Sequence, residues 1–111
     1  MKQFLLSTIF FSLCTILSAQ TPCDDGRYSS NVFSNFTKTS DITYGSNSSW
    51  NGSNTTLKLD FYEPDGDTET ERPLLIWVHG GSFIGGSKTD PDMVEFSERF
   101  VKMGYTCASI D

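Results

Sequence analysis

The sequence is poor in basic residues, histidine and cysteine, and each shortage excludes a class of protein. Its 111 residues include 8 Lys and Arg against 14 Asp and Glu, for a formal charge of −6. A nucleic-acid surface or a docking site for anionic lipid needs a basic face, so we expect neither partner. One histidine and three scattered cysteines do not make a metal site, and no metal or organic cofactor is implied.

Long apolar runs are lacking as well. The longest covers residues 4–17, which falls short of the roughly 20 residues needed to span a bilayer. It follows Lys2 and is followed by Leu-Ser-Ala at residues 17–19, a pattern typical of signal-peptidase sites. We therefore expect residues 1–19 to be a signal peptide cleaved near Ala19. The mature protein would then be secreted or periplasmic with no stable membrane span; a membrane anchor is the alternative.

The position of each of the three cysteines predicts a different role for it. Cys14 would leave with the signal peptide, and export would permit disulfides elsewhere. Cys107 lies in an apolar strand pattern, which predicts a packed thiol. Cys23 lies in residues 20–35, a polar lead-in to the domain, and is a candidate for pairing with a cysteine outside this chain.

From residue 36 onward the sequence shows strand and helix patterns. Alternation predicts strands over residues 38–44 and 56–62, joined by a polar loop with an Asn-Gly turn pair. In the second strand, Leu57, Leu59 and Phe61 lie on one side and polar residues mostly on the other, which indicates a half-buried strand. Together the two strands predict an antiparallel hairpin.

The clearest segment is the apolar run at residues 74–78 (LLIWV). It lacks alternation, so we expect both of its faces to be buried, as in the middle of a parallel sheet. The glycine-rich stretch at residues 79–87 (HGGSFIGGS) follows directly. Residues 105–110 (YTCASI) predict a further strand, parallel to the first across a helical crossover.

The crossover helix has recognisable ends. Asp90 is a candidate N-cap with Pro91 at the first helical position, and Gly104 is placed to end the helix. Its apolar positions are Met93, Phe96, Phe100 and Met103. A strand–loop–helix–strand unit of this kind needs more sheet and a second helical layer to bury it.

The glycine-rich stretch has the properties of an oxyanion hole. Glycines permit a sharp turn in which backbone N–H groups point at one oxygen, and acyl transfer places negative charge on such an oxygen. The sequence WVHGGSFIGGS, preceded by LKLDFYEP, resembles the α/β-hydrolase superfamily and within it the lipases and carboxylesterases. The resemblance implies the N-terminal portion of an α/β-hydrolase fold over residues 36–111: an antiparallel hairpin, then strand, oxyanion loop, helix and strand of a mostly parallel sheet.

Four loop residues receive roles from this resemblance. Gly81 and Ser82 would donate backbone N–H groups to the oxyanion, while His79 and Gly80 would hold the loop in shape. Ser82 stands where many members of the superfamily have a third glycine, and it lacks the G-x-S-x-G surroundings of a nucleophile. His79 is the only histidine, so no Ser-His-Asp triad can be assembled within these residues.

The same stretch has a competing interpretation as a phosphate-binding loop. It contains neither G-x-G-x-x-G nor G-x-x-x-x-G-K-[ST], and bulky Phe83 and Ile84 would obstruct a phosphate cradle. In an acyl-binding cleft these two side chains would instead line the substrate pocket. The resemblance also implies that Asp111, at the end of its strand, braces the loop.

The expected function is that of a serine hydrolase acting on carboxylic esters of small molecules, lipids or carbohydrates. The nucleophile, acid and base would lie outside this sequence, so the chain by itself is expected to be inactive. A peptidase of the same fold and a non-catalytic binding or adhesion module remain as alternatives. A third alternative is that these residues form a complete small protein. The exposed strand edge expected at residues 105–110 argues against it.

Overall fold

A computed structural model describes residues 26–49, 51–82 and 84–111, so the predictions for the signal peptide, Cys14 and Cys23 lie outside the described residues. The elements are β1 (Phe36–Ser48), β2 (Asn54–Pro64), β3 (Leu74–Val78), α1 (Pro91–Lys102) and β4 (Thr106–Ile110). The strands form one mixed sheet in the order β1-β2-β4-β3. β2 is antiparallel to β1 and β4, whereas β3 is parallel to β4. The described chain is thus a small α/β fold.

The predicted hairpin is confirmed, but its strands are longer than the alternation indicated. β1 and β2 pair from Phe36 opposite Pro64 to Ser48 opposite Asn54. The additional pairs near the turn are polar and exposed, so they carry no hydrophobic alternation that sequence reasoning could detect. Gly52, at φ +83°, lies in the turn.

The buried face of β2 is the opposite of the one that its side chains suggest. The alternating Leu and Phe side chains are half-buried, whereas Asp60 and Tyr62 on the other face are 1% and 0% exposed. The reason is the position of α1, because Tyr62 packs with Val101 of the helix and with Cys107 of β4. The helix therefore covers the face that looked polar.

The edges of the described sheet are β1 and β3, so the exposed edge predicted at residues 105–110 is wrong. β4 pairs with β2 on one side and with β3 on the other. The burial predicted for β3 is also wrong on one face, since Leu74, Ile76 and Val78 are 51%, 58% and 68% exposed. No described element covers the sheet on that side, and α/β folds normally bury such an apolar face beneath a second layer.

α1 starts and ends where its sequence signals place it. Pro91 is its first residue, and Gly104 follows its end at φ +99°. The N–H of Gly104 donates to Val101 O (3.0 Å) and the N–H of the next residue to Phe100 O (3.3 Å). This pair of bonds across a left-handed glycine is a standard helix C-terminus.

Two details of the helix differ from prediction. Asp90 precedes α1 but makes no side-chain capping bond, because its carboxylate accepts the N–H of Ser87 (3.1 Å) instead. The predicted apolar stripe is rotated, and Phe96 is 41% exposed. The buried helix residues are Met93, Ser97 and Val101.

Residues 26–35 pack over the C-terminal end of α1. The N–H of Tyr28 donates to Met103 O (2.7 Å), and two further N–H groups of the segment donate to Lys102 O (3.0 Å each). These bonds satisfy carbonyl groups that a helix end leaves without intrahelical partners. In the described residues, the polar lead-in is an ordered part of the fold.

The prediction of a packed thiol at Cys107 is confirmed. Its side chain is 0% exposed and forms no disulfide. Burial disfavours the thiolate and raises the pKa of Cys107 to about 11. The cysteine therefore serves as a small apolar side chain in the core.

Candidate functional site

The glycine-rich loop leaves β3 at the end of the sheet where both parallel strands finish. The N–H groups of Ile84 and Gly85 donate to Gly81 O at 3.1 and 3.2 Å, which closes a tight turn. Gly81 has φ +128°, and a Cβ built there would lie 1.9 Å from Gly85 O. The turn as formed therefore requires glycine at position 81.

The same hydrogen bonds orient the amide of Ser82. All peptides of the described chain are trans, so the C=O of Gly81 and the N–H of Ser82 point in opposite directions. Because Gly81 O faces the inside of the turn, Ser82 N–H points out of it. Ser82 has φ +54°, a region that residues other than glycine rarely adopt. Its backbone is therefore strained, whereas a glycine at this position would adopt the same conformation without strain.

His79 orients the preceding peptide. Its Nδ1 lies 2.7 Å from Gly80 O, and because a carbonyl can only accept, Nδ1 carries the proton. The contact turns Gly80 O toward the imidazole, and it turns Gly81 N–H, on the other side of that peptide, away from the ring. His79 is thus held against the loop backbone.

Both of these amides are available to a ligand. Within the described residues, neither Gly81 N–H nor Ser82 N–H has a hydrogen-bond acceptor. They lie at an open depression of about 560 Å³, and Ile84 is 89% exposed beside it. Phe83, the other predicted pocket residue, lies outside the described residues. The residues that line the depression are Val78, His79, Gly80, Gly81, Ser82, Ile84, Gly85 and Gly86.

Gly86 brings the end of the loop back against its beginning. It has φ +94°, and a Cβ there would lie 2.1 Å from Gly80 O and 2.2 Å from His79 Nδ1. The exit of the loop therefore touches the peptide that presents Gly81 N–H. A displacement of the exit would move that peptide as well.

Asp111 connects the end of β4 to the residues just after the loop. Its Oδ1 accepts the N–H of Lys88 (2.9 Å) and lies 3.5 Å from Ser87 Oγ. Its own N–H donates to Lys58 O (2.9 Å), and its O accepts the hydroxyl of Tyr44 (2.6 Å). The carboxylate of Asp111 thus contacts the loop exit, and the backbone of Asp111 is hydrogen-bonded to the hairpin.

Sequence reasoning missed a charge cluster beside the loop exit, centred on the buried side chains of Asp60 and Lys88. Lys88 Nζ lies 2.6 Å from Asp60 Oδ1, and these side chains are 8% and 1% exposed. Lys38 Nζ lies 2.8 Å from the other oxygen, Oδ2. The N–H of Asp41 donates to Asp60 Oδ1 (3.1 Å), and Asp41 Oδ1 lies 3.2 Å from Lys88 Nζ. Four charged groups thus lie together at the side of the sheet covered by α1.

Asp60 and Lys88 both stay charged near neutral pH. Burial by itself raises the pKa of Asp60, but hydrogen bonds from Lys38 and Lys88 outweigh it and hold that pKa below its ordinary value. The hydrogen bond to Asp60 raises the pKa of Lys88 in spite of burial. The sequence signal for this cluster is an aspartate inside an alternating strand, on the face that the alternation predicts to be exposed.

Among residues 26–49, 51–82 and 84–111, no three His, Cys, Asp or Glu side chains form a group that could hold a metal ion. Within the same ranges, no helix has the length and apolarity needed to cross a membrane.

The described chain is a small α/β fold with a mixed sheet of four strands, one helix and a glycine-rich loop after β3. A family model described as BD-FAE, from the α/β-hydrolase-like esterases, matches residues 59–111, just under half of the chain. The match begins within β2 and includes Asp60, the whole loop, Lys88 and Asp111. It supports a hydrolase of the esterase type in general. No curated protein and no solved structure matches the chain.

Proposed function

We propose that this chain supplies the oxyanion-stabilising part of a serine hydrolase that cleaves carboxylic esters. Gly81 and Ser82 hold the carbonyl oxygen through their N–H groups while a serine attacks the carbonyl carbon and a histidine takes the serine proton. That nucleophile, its base and the supporting acid come from outside this sequence. The only histidine, His79, is directed at Gly80 O, and no G-x-S-x-G is present.

The orientation of two successive peptides carries this proposal. Gly80 O is directed at His79 and Gly81 O at the inside of the turn, so the N–H groups of Gly81 and Ser82 are both left to the open depression. Donors held by the backbone need no reorganisation when charge develops on a substrate oxygen. Each such donor typically contributes about 3 kcal/mol to transition-state stabilisation.

The surroundings of the loop agree with an uncharged, partly apolar substrate. Ile84 lies exposed beside the donors, and adjacent Phe83 adds a second apolar side chain in the sequence. Both suit the acyl or alcohol group of a small-molecule, lipid or carbohydrate ester. Because residues 1–19 have the pattern of a signal peptide, we place this activity in a secreted or periplasmic protein.

The first test is the reading frame beyond the codon for Asp111. We expect it to stay open and to encode G-x-S-x-G, followed by an Asp or Glu and a late His. The complete gene product should hydrolyse p-nitrophenyl acetate and react with a fluorophosphonate probe at the serine of that motif. A downstream sequence without this serine would overturn the proposal and favour a non-catalytic binding module. Faster cleavage of a peptide p-nitroanilide than of the ester would favour a peptidase.

The second test concerns the oxyanion donors. Gly81→Ala places a Cβ against Gly85 O and should lower kcat by roughly 100-fold, the usual effect of losing one oxyanion donor. Gly45→Ala is the matched control, since no atom lies within 4 Å of a Cβ at that position and Gly45 is in β1. Equal kcat values for both variants would remove Gly81 from the mechanism.

A further inference from the structure

Lys88 is held at three of its polar groups immediately after the glycine-rich loop. Its Nζ lies 2.6 Å from Asp60 Oδ1 on β2. Its N–H donates to Asp111 Oδ1 (2.9 Å), and its C=O accepts the hydroxyl of Ser109 on β4 (2.8 Å). Both the backbone and the side chain of this residue are therefore fastened to the sheet.

The anchor on β2 has two further partners besides Lys88. Asp60 also pairs with Lys38 Nζ (2.8 Å) and accepts the N–H of Asp41 (3.1 Å). Asp41 lies at a break in the β1–β2 register with φ +61°, a strained conformation that directs its N–H toward Asp60. Lys88 thus reaches an acceptor whose position is already determined by the hairpin.

Stability alone is a weak reason for such a pair. Two charges taken from water lose much of their hydration, and well-packed apolar side chains of similar volume are often as stable. What an ion pair adds is a defined geometry, because the ammonium must meet one carboxylate oxygen. At this position the geometry determines where the loop exit lies.

The loop exit lies against the peptide that carries one of the oxyanion donors, Gly81 N–H. Gly86, two residues before Lys88, lies so close to Gly80 O and His79 Nδ1 that an added Cβ would be 2.1 and 2.2 Å away. Gly80 O belongs to the same peptide as Gly81 N–H. Movement of the exit by even a fraction of an ångström would therefore rotate that donor.

We propose that Lys88, held by Asp60, is a positioning residue that orients the N–H groups of Gly81 and Ser82 toward a substrate oxygen. This inference rests on the proposed function. It requires the ion pair to affect the transition state more than the bound substrate, because the oxyanion forms only as the serine attacks.

The test compares two Lys→Met variants of the complete gene product. Lys88→Met should lower kcat for p-nitrophenyl acetate by roughly 10- to 100-fold with KM changed less than about threefold. Lys58→Met is the matched control: Lys58 Nζ lies outside the four-group cluster, at 3.8 Å from Asp41 Oδ1, and its side chain is 44% exposed. It should keep the wild-type kcat. If Lys88→Met does not fold, Lys88→Gln replaces it: its uncharged and shorter side chain stays polar but does not reproduce the 2.6 Å contact with Asp60 Oδ1, so the same loss of kcat is expected.

A second readout does not depend on activity. Hydrogen–deuterium exchange reports the N–H groups of Ile84 and Gly85, which close the turn on Gly81 O. Their exchange should quicken at least severalfold in Lys88→Met and stay unchanged in Lys58→Met. Wild-type kcat together with unchanged exchange in Lys88→Met would overturn the positioning role. If the wild-type protein neither cleaves esters nor reacts with the fluorophosphonate probe, the proposed function fails, and the exchange result alone decides whether Lys88 positions the loop.

Discussion

Lys88 and Asp60 form an ion pair inside the fold, with Lys88 Nζ 2.6 Å from Asp60 Oδ1 and side chains only 8% and 1% exposed. They belong to different parts of the chain, since Asp60 lies in the hairpin strand β2 and Lys88 in the segment that leads into α1. The pair joins the hairpin to the crossover unit, and its energetics lead to two predictions.

The first prediction concerns the loss of the carboxylate. Asp60→Asn leaves Lys38 and Lys88 without their shared anion and should lower the free energy of unfolding by about 3 kcal/mol, the effect typical of removing one partner of a buried pair. Urea-induced unfolding of the complete gene product measures it. Asp65→Asn, at an exposed aspartate, should change this free energy by less than about 0.5 kcal/mol. Equal losses in both variants would contradict the buried role of Asp60.

The second prediction concerns pH. The folded-state pKa of Asp60 lies below its ordinary 3.8, so its contribution to stability is complete above that pH and is lost as the pH falls through the folded-state value. The folded-state pKa of Lys88 lies above 10.5, so its contribution is complete below that pH and is lost in stronger alkali. Lys38 and Asp41 are the other charged groups in contact with this pair.

The comparison that isolates this effect uses the double variant Asp60→Asn/Lys88→Met. The difference in unfolding free energy between wild type and double variant should be constant between about pH 5 and pH 9 and should shrink below about pH 4. Asp67, whose pKa is also lowered, is present in both proteins and cancels. A difference that grows in acid would contradict the assigned direction.

The third prediction concerns the end of α1. Gly104→Ala should lower the free energy of unfolding by roughly 1–2 kcal/mol, because alanine is strained at φ +99°. The new Cβ would also lie 3.0 Å from Arg27 Cγ in the segment that covers the helix end. Gly45→Ala makes the same chemical change in open space and should have little effect. Thermal unfolding of both variants distinguishes them, and equal midpoints would be evidence against a left-handed helix end.

The fourth prediction concerns the thiol of Cys107. Because it is fully buried and its pKa is about 11, iodoacetamide at pH 8 should alkylate it at least 100-fold more slowly in the native protein than in 6 M guanidinium chloride. Mass spectrometry of the peptide that contains Cys107 follows the reaction. Rapid alkylation of the native protein would show that this part of the sheet opens readily.

Local sequence signals predicted most of the elements, since each depended on neighbouring residues. The hairpin has an Asn-Gly pair in its turn, and α1 lies between Pro91 and Gly104. The loop at residues 79–87 was predicted as a sharp turn because glycines there permit positive φ, and Gly81 and Gly86 both have it. In each case, the backbone preference of a few residues was sufficient.

The sheet order could not be obtained in this way. β4 lies between β2 and β3, which requires strands distant in sequence to pair, and no local pattern encodes that choice. The same limit explains the error on β2. Whether the Asp60 face or the Phe61 face is buried depends on the side on which α1 packs.

The sequence by itself determined the local conformations: the turns, the helix ends, the alternating strands and a glycine-rich loop able to present backbone N–H groups. Only the tertiary structure decided which face of the sheet is covered and which charges meet. Asp60 and Lys88 are 28 residues apart, and their pairing exists only because β2 and the loop exit are brought to the same side of the sheet. Hydrogen bonding within a turn acts over a few residues, whereas a buried charge needs a partner from wherever the packed chain supplies one.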